Sequence, residues 1–254
     1  MIRTRTDGDV RVVTLDRPAA RNALRPEDLR SLREVFEGEA EDGTTPPVTY
    51  LRGAGDAFCA GADLDAVAGL NDPEAFARRG QRAAAAIEES RSVVVCGVDG
   101  AARGGGVELA LAADVRVATP RATFGEPGVD FGLFGAWGGT VRLPRVMREG
   151  DALDFALSGR VLDAEAALRT GLVSRVVDDP RSVADAIAAG ESDALAAIKR
   201  RLRDRRGDET QEQAEAAAFA DLHDAHAEEI TRRNEERGSR SDPAELPSRC
   251  DRLK

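Results

Sequence analysis

The chain has 254 residues, 42% of them hydrophobic, which is enough for the core of one domain with a modest appendage. Acidic residues outnumber basic ones by 46 to 36, and the net charge of -10 argues against nucleic-acid binding, which depends on Lys and Arg. Every basic residue is arginine except Lys199 and Lys254, a bias typical either of a GC-rich coding sequence or of a protein adapted to high salt.

Other features of the sequence indicate the cellular compartment of the protein. The densest apolar run, residues 93–98, is far shorter than the ~18 residues that cross a bilayer, and the charged N-terminus leads into no apolar segment. The three cysteines are scattered and the two histidines have no partner in a metal motif. We therefore expect a cytoplasmic protein with no membrane contact and no bound metal.

Strand and helix patterns alternate along the first two thirds of the chain. In chain order, strands are predicted at 10–15, 48–52, 93–98, 115–118 and 173–177. Helices are predicted from Pro26, over 73–90 and 107–113, after Pro144, and over 193–206 and 210–236. Polar or glycine-rich loops are expected at 39–47 and 125–139, and a tail at 238–254. The fold class is α/β, with a body over 1–185 and a helical region with its tail over 186–254.

The most informative local pattern is a strand followed by Gly104-Gly105-Gly106 and then a helix. Three glycines leave the first backbone N–H groups of that helix open to a ligand oxygen, and Glu108 follows in the first turn. The pattern also fits a simple tight turn with Glu108 as a partner of the helix dipole. GxGxxG and GxxxxGK[ST] phosphate-binding motifs are absent from the sequence.

A second glycine- and alanine-rich segment runs from Phe58 to Leu64. Its composition allows close backbone approach to a ligand, and the Ala62 N–H is a candidate second donor to the same oxygen. Asp63, in turn, is placed to cap a following helix.

Five stretches together resemble the crotonase superfamily, the enoyl-CoA hydratase/isomerase family, in the order typical of that family. They are Leu15-Asp16-Arg17-Pro18 with Arg21-Asn22-Ala23-Leu24, Ala57 to Leu64, Gly100 to Ala110, Trp137-Gly138-Gly139-Thr140 with Arg142-Leu143-Pro144, and Ala164 to Val173.

The resemblance implies a crotonase-like spiral of ββα units, and C-terminal helices that assemble a homotrimer or a dimer of trimers. It further implies an acyl-CoA thioester substrate, with no cofactor beyond the coenzyme A of that substrate. Ala62 and Gly105 would supply the oxyanion-hole amides and Glu108 the acid/base. The residues implied in substrate binding are Arg21, Ala23, Leu24, Ala60, Asp63, Leu64, Gly104, Pro127, Gly128 and Trp137.

The sequence departs from the family where hydratases carry their second catalytic glutamate, since Gly128 stands at that position. Glu126 and Asp130 lie two residues to either side, and neither matches the missing residue. Trp137 is also unusual for the family, and would either narrow the acyl pocket or fill core space.

This departure leaves the reaction open. One carboxylate suffices to move a proton in double-bond isomerisation, whereas hydration works best with two carboxylates in different protonation states. The chain is therefore expected to be an enoyl-CoA hydratase or isomerase. Another thioester reaction (hydrolysis, decarboxylation or lyase chemistry) and a non-catalytic acyl-CoA-binding role are the alternatives.

Overall fold

The computed structural model describes residues 1–38 and 45–239. Most of the predicted loop at 39–47 and nearly all of the predicted tail at 238–254 therefore lie outside the described residues. The strands are β1 (Ile2–Asp7), β2 (Val10–Leu15), β3 (Val48–Gly53), β4 (Ala57–Cys59), β5 (Val93–Val98), β6 (Ala101–Arg103), β7 (Val115–Ala118), β8 (Thr123–Gly125), β9 (Val161–Asp163) and β10 (Arg175–Val176). The helices are α1 (Pro26–Glu37), α2 (Leu64–Ala68), α3 (Pro73–Glu88), α4 (Gly105–Ala112), α5 (Gly139–Val146), α6 (Glu149–Ser158), α7 (Ala164–Arg169), α8 (Pro180–Ala188), α9 (Ser192–Arg203) and α10 (Asp208–Ser239).

Two sheets share the strands between them. The larger has the order β1-β2-β3-β5-β7-β10, with β1 antiparallel to β2 and the other pairs parallel. The smaller has the order β4-β6-β8-β9, of which only β8 and β9 are antiparallel. Successive pairs β3–β4, β5–β6 and β7–β8 place one strand in each sheet before the chain turns into a helix. This arrangement is the expected spiral of ββα units.

Glycine forms the corner at which the chain leaves one sheet for the other. Gly100 lies between β5 and β6 with a φ of 77°, and a methyl group there would lie 2.1 Å from the Asp56 carbonyl oxygen. Both the positive φ and the close backbone contact exclude a larger residue.

The centre of the body is α4, in which all eight residues are buried. A helix that is apolar on every side is typical of a protein interior. Because α4 is surrounded, the polar Glu108 that it carries is surrounded as well.

The predicted strands at 10–15 and 93–98 are confirmed at both ends. β1 has no counterpart in the prediction, because half of its residues are charged and five of the six are exposed; it is an edge strand paired by its backbone to β2. The prediction that helix begins only after Pro144 is wrong, since α5 starts at Gly139 and contains that proline.

The described chain divides into two compact units, Met1–Ala189 and a second one that begins at Gly190. Within the second unit, α9 and α10 are joined by a contact of 2.8 Å between His226 Nε2 and Asp193 Oδ2. No helix among the described residues is long and apolar enough to cross a membrane. The same part of the chain has no group of three or more His, Cys, Asp or Glu residues that could hold a metal ion.

Candidate active site

The two segments expected to bind coenzyme A lie side by side. The Ala60 N–H donates to the Arg21 carbonyl at 2.9 Å. Leu24 donates to the Gly61 carbonyl at 2.8 Å and accepts from the Asp63 N–H at 2.9 Å. These backbone bonds join residues 21–24 to residues 60–63 into one surface.

Asn22, which sequence reasoning left without a role, anchors this surface. Its side-chain Nδ2 donates to the carbonyls of Ala54, Ala57 and Phe58 at 2.9, 2.8 and 3.1 Å. Its Oδ1 accepts from the Arg17 N–H at 2.9 Å. The residue is fully buried and has a φ of 59°, a conformation that asparagine tolerates better than most residues. An asparagine just after an Asp-Arg-Pro turn was therefore the sequence signal from which this structural role could have been predicted.

The side chains of these segments differ in exposure. Arg21 and Leu64 are exposed, whereas Leu24 is fully buried in the core. Asp63 caps α2 by accepting from the Ala66 N–H at 3.3 Å, and it pairs with Arg17 at 2.6 Å. The capping role considered for Asp63 is thus confirmed. The contacts of these side chains with a substrate stay a prediction.

The end of β4 and the start of α4 approach each other closely. A methyl group on Gly61 would lie 2.6 Å from the Arg103 carbonyl oxygen and 3.1 Å from Gly105 N. A methyl group on Gly106 would lie 2.3 Å from the Cys59 carbonyl oxygen. Only glycine allows this backbone-to-backbone contact, which places Gly61, the residue before Ala62, against the start of α4 at Gly105.

The two amides singled out in the sequence have no partner of their own. Within the described part of the chain, no group accepts a hydrogen bond from the Ala62 or Gly105 N–H. Gly105 is the first residue of α4, where the backbone donors of a helix have no acceptor inside it. Gly104 precedes it with a φ of 46°, and the space where its side chain would stand is open. Both N–H groups are therefore available to an acceptor from outside the described chain.

Glu108 lies one turn further along α4 and is held by the loop before α5. Its Oε1 accepts hydrogen bonds from the backbone N–H groups of Trp137 and Gly139, both at 2.7 Å. Gly139 is the first residue of α5, so the start of this helix is fixed by the carboxylate. This contact is the physical reason why α5 begins before Pro144.

The charge state of Glu108 reflects two opposed effects. The side chain is 1% exposed, and this burial raises the pKa of Glu108 to about 7. The N–H donors of Gly139 and Trp137, together with the Arg142 guanidinium, act against the rise. A carboxyl group with a pKa near neutrality can both accept and return a proton.

The loop that follows β8 passes the start of α4. β8 is parallel to β6, and the Gly104 N–H donates to the Gly125 carbonyl at 2.9 Å. Pro127 opens a short 3-10 helix, Pro127–Phe131, whose second residue is Gly128. A methyl group on Gly128 would lie 2.9 Å from Phe134 Cα and 3.0 Å from the Leu133 carbonyl oxygen. Position 128 thus has no room for the glutamate expected of a hydratase.

The two carboxylates that flank Gly128 lie in opposite environments. Glu126 is 6% exposed, and among the described residues neither of its carboxylate oxygens has a hydrogen-bond partner. Burial, reinforced by the charge of Glu108, raises the pKa of Glu126 to about 8. Asp130 is exposed, with its carboxylate oxygens toward Gly159.

Trp137 is placed in the core. It is 3% exposed, and Phe76 meets its ring edge-on at a centroid distance of 5.8 Å. A methyl group on Gly80 would lie 2.0 Å from Cδ1 of the ring, and one on Gly105 would lie 2.1 Å from Cζ3. Of the two possibilities considered for Trp137, this position favours the filling of core space, although the ring borders the Gly105 amide.

A spiral of ββα units, with a buried glutamate one turn into a glycine-initiated helix, defines a protein of the crotonase superfamily. The chain belongs to the enoyl-CoA hydratase/isomerase family, which its sequence matches over residues 5–238. It is thus an acyl-CoA enzyme of that family.

Individual relatives agree with this assignment. The chain is 37% identical over 175 residues to a short-chain-enoyl-CoA hydratase of Clostridium acetobutylicum, covering 68% of this chain and 67% of that one. It is 37% identical over 169 residues to a crotonyl-CoA hydratase of Syntrophomonas wolfei, covering 65% of each. The crystal structure of an enoyl-CoA hydratase from Thermoplasma volcanium superposes with a TM-score of 0.82 at 33% identity, covering 89% of this chain and 96% of that one.

Proposed function

We propose that this enzyme binds an enoyl-CoA thioester and stabilises the enolate that forms when its double bond is hydrated or moved. The observation that carries the proposal is the pairing of two unpartnered amides, Ala62 and Gly105, with a buried carboxyl group at Glu108 on the same helix.

The two amides act on the thioester oxygen. When an enolate forms, negative charge collects on that oxygen, and N–H donors already fixed in place stabilise it without further rearrangement. The partial positive charge at the start of α4 adds to the effect. Each well-placed donor contributes about 3–4 kcal/mol to the lowering of the barrier.

Glu108 transfers the proton. Its pKa of about 7 allows it to take a proton at neutral pH and to return it in the next step. The bonds from Trp137 and Gly139 both end on Oε1, so they fix the direction of the carboxylate while Oε2 takes no part in them. In this role Glu108 is either the base that activates water or the group that moves a proton between two carbons.

Coenzyme A would bind on the surface formed by residues 21–24 and 60–64. The backbone bonds and Asn22 preform this surface, so little ordering accompanies binding. Arg21 is exposed in this segment and offers a cation for a phosphate group.

We further propose that the protein acts as a homotrimer or a dimer of trimers in the cytoplasm. The second unit exposes four large apolar side chains on α9 and α10 that a partner chain could cover: Ile198, Leu202, Phe219 and Ile230. Light scattering of the purified protein tests the assembly, and a monomer at micromolar concentration would contradict it.

The activity is tested with two substrates. Purified protein is incubated with crotonyl-CoA and, separately, with a 3-enoyl-CoA, and the products are separated chromatographically. Formation of 3-hydroxyacyl-CoA identifies a hydratase, and 2-enoyl-CoA formed from the 3-enoyl substrate identifies an isomerase. Release of free coenzyme A from either substrate would instead favour hydrolysis, and no turnover of either would contradict the proposal.

A further inference from the structure

We propose that Glu126 is a second proton-transfer residue of this active site, so that the enzyme hydrates its substrate with two carboxyl groups although position 128 is glycine. The inference rests on the proposed acyl-CoA function and identifies which side chain completes it.

The fold brings the backbone of Glu126 next to the start of α4. Parallel pairing sets Arg103 of β6 opposite Gly125 of β8, and both strands end there. The next residues along the two strands are therefore Gly104 and Glu126, and the Gly104 N–H donates to the carbonyl of Gly125, the residue before Glu126. Side chains that follow neighbouring parallel strands meet at the same edge of a sheet, which is where ligands bind in such sheets.

The environment of Glu126 is unusual for a carboxyl group with a structural role. Its two oxygens are buried, and no donor in the described part of the chain satisfies either of them. A buried polar group without a partner costs stability, so a structural glutamate at this position would be expected to have hydrogen-bond donors around it. An incoming substrate or water molecule is the partner that this side chain lacks.

The surroundings of the two glutamates make Glu108 the base and Glu126 the acid. Glu108 has two N–H donors that favour its charged form, whereas no described residue donates to Glu126, which is also repelled by the charge of Glu108. At neutral pH the proton of the pair therefore resides on Glu126. Two carboxyl groups in one site with unequal proton affinity are the arrangement that hydration requires.

The reaction balances with these two groups alone. A water molecule gives a proton to the Glu108 carboxylate while its oxygen forms a bond to C3 of the enoyl thioester. The electron pair of the C2–C3 double bond moves through the thioester enolate, and C2 then takes the proton of Glu126. Transfer of the new proton from Glu108 to Glu126 restores the starting state, and the net change is the addition of water.

Asp130, the other candidate beside Gly128, does not meet these conditions. It is exposed, and a methyl group on Gly159 would lie 3.8 Å from each of its carboxylate oxygens. It lies near the end of α6, whereas Glu126 follows the strand beside Gly104. Asp130 therefore offers a matched control, a carboxylate at the same distance in sequence from Gly128.

The test compares Glu126→Gln with Asp130→Asn. With crotonyl-CoA, we expect Glu126→Gln to lower kcat about 10²–10³-fold with little change in KM, and Asp130→Asn to stay within about twofold of wild type. The pH profile separates catalysis from a structural effect. The wild-type rate should fall at alkaline pH as Glu126 loses its proton, and this limb should vanish in Glu126→Gln.

Glu126→Asp keeps the proton and should recover part of the lost rate, which a packing defect would not explain. An active wild type with an equally active Glu126→Gln would overturn the inference while leaving the proposed function intact. So would a wild type that isomerises 3-enoyl-CoA but adds no water to crotonyl-CoA. A wild type inactive on both thioesters would overturn the proposed function, and the inference with it.

Discussion

Trp137 occupies the space in which Gly105 would carry a side chain. A methyl group on Gly105 would lie 2.1 Å from Cζ3 of the indole, and the backbone N–H of the same tryptophan donates to Glu108 Oε1. One residue thus packs against the proposed oxyanion donor and orients the proposed acid/base. Trp137, which is unusual for the family, therefore helps to position both Gly105 and Glu108.

Because of this contact, we expect the effects of Gly105→Ala and Trp137→Ala on the free energy of unfolding to be strongly coupled. Gly105→Ala alone should destabilise the fold by about 1–3 kcal/mol through overpacking, and Trp137→Ala by about 3–5 kcal/mol through the cavity that it leaves. In the double variant the added methyl group enters that cavity, so the loss of unfolding free energy should be smaller than the sum of the losses in the two single variants. Urea unfolding of the four proteins measures the coupling, and strictly additive losses would refute the contact.

Glu108→Gln should abolish most turnover and leave acyl-CoA binding nearly unchanged. The amide keeps the size of the side chain but cannot exchange a proton, so kcat should fall about 10²–10⁴-fold. Steady-state kinetics give kcat and KM separately. Glu165→Gln is the control, because that glutamate is exposed on α7 and pairs with the exposed Arg169 at 3.9 Å. Wild-type rates in Glu108→Gln would show that Glu108 is not the acid/base.

Stability should depend on pH through Glu126. Its carboxyl group titrates near 4.5 in the unfolded chain and near 8 in the folded protein. Between these values the unfolded chain has released the proton and the folded protein has kept it, so raising the pH favours unfolding. Relative to wild type, Glu126→Gln should gain up to about 1.4 kcal/mol for each pH unit across this window. Denaturant unfolding at pH 5, 6 and 7 measures the trend, and a constant difference would contradict it.

Asn22→Asp should weaken both the fold and the binding of coenzyme A. The new carboxylate would face the carbonyls of Ala54, Ala57 and Phe58, which now receive the amide N–H groups. We expect a loss above about 2 kcal/mol in unfolding free energy and a raised KM for acyl-CoA. Arg21→Gly is the matched control for stability, since the neighbouring Arg21 also has a positive φ, of 49°, and glycine accepts it without strain.

Local sequence patterns predicted the parts of the fold that local physics determines. Val93–Val98 is recognisable as a central strand because it is apolar on both faces, and Pro73 marks the start of α3 because it follows the capping Asp72. β1 could not be predicted in this way, since five of its six residues are exposed, three are charged, and its strand conformation depends on backbone pairing with β2.

The sequence by itself determined the family, the glycines at the start of α4 and the position of Glu108, because these depend on residue types at fixed spacing. Only the tertiary structure decided the relation between Glu108 and Glu126, which lie on separate elements and are close enough for the charge of Glu108 to raise the pKa of Glu126. It likewise placed Trp137 against Gly105 and left no room for a side chain at Gly128. Distances between side chains on different elements follow from packing of the whole chain, which no local pattern records.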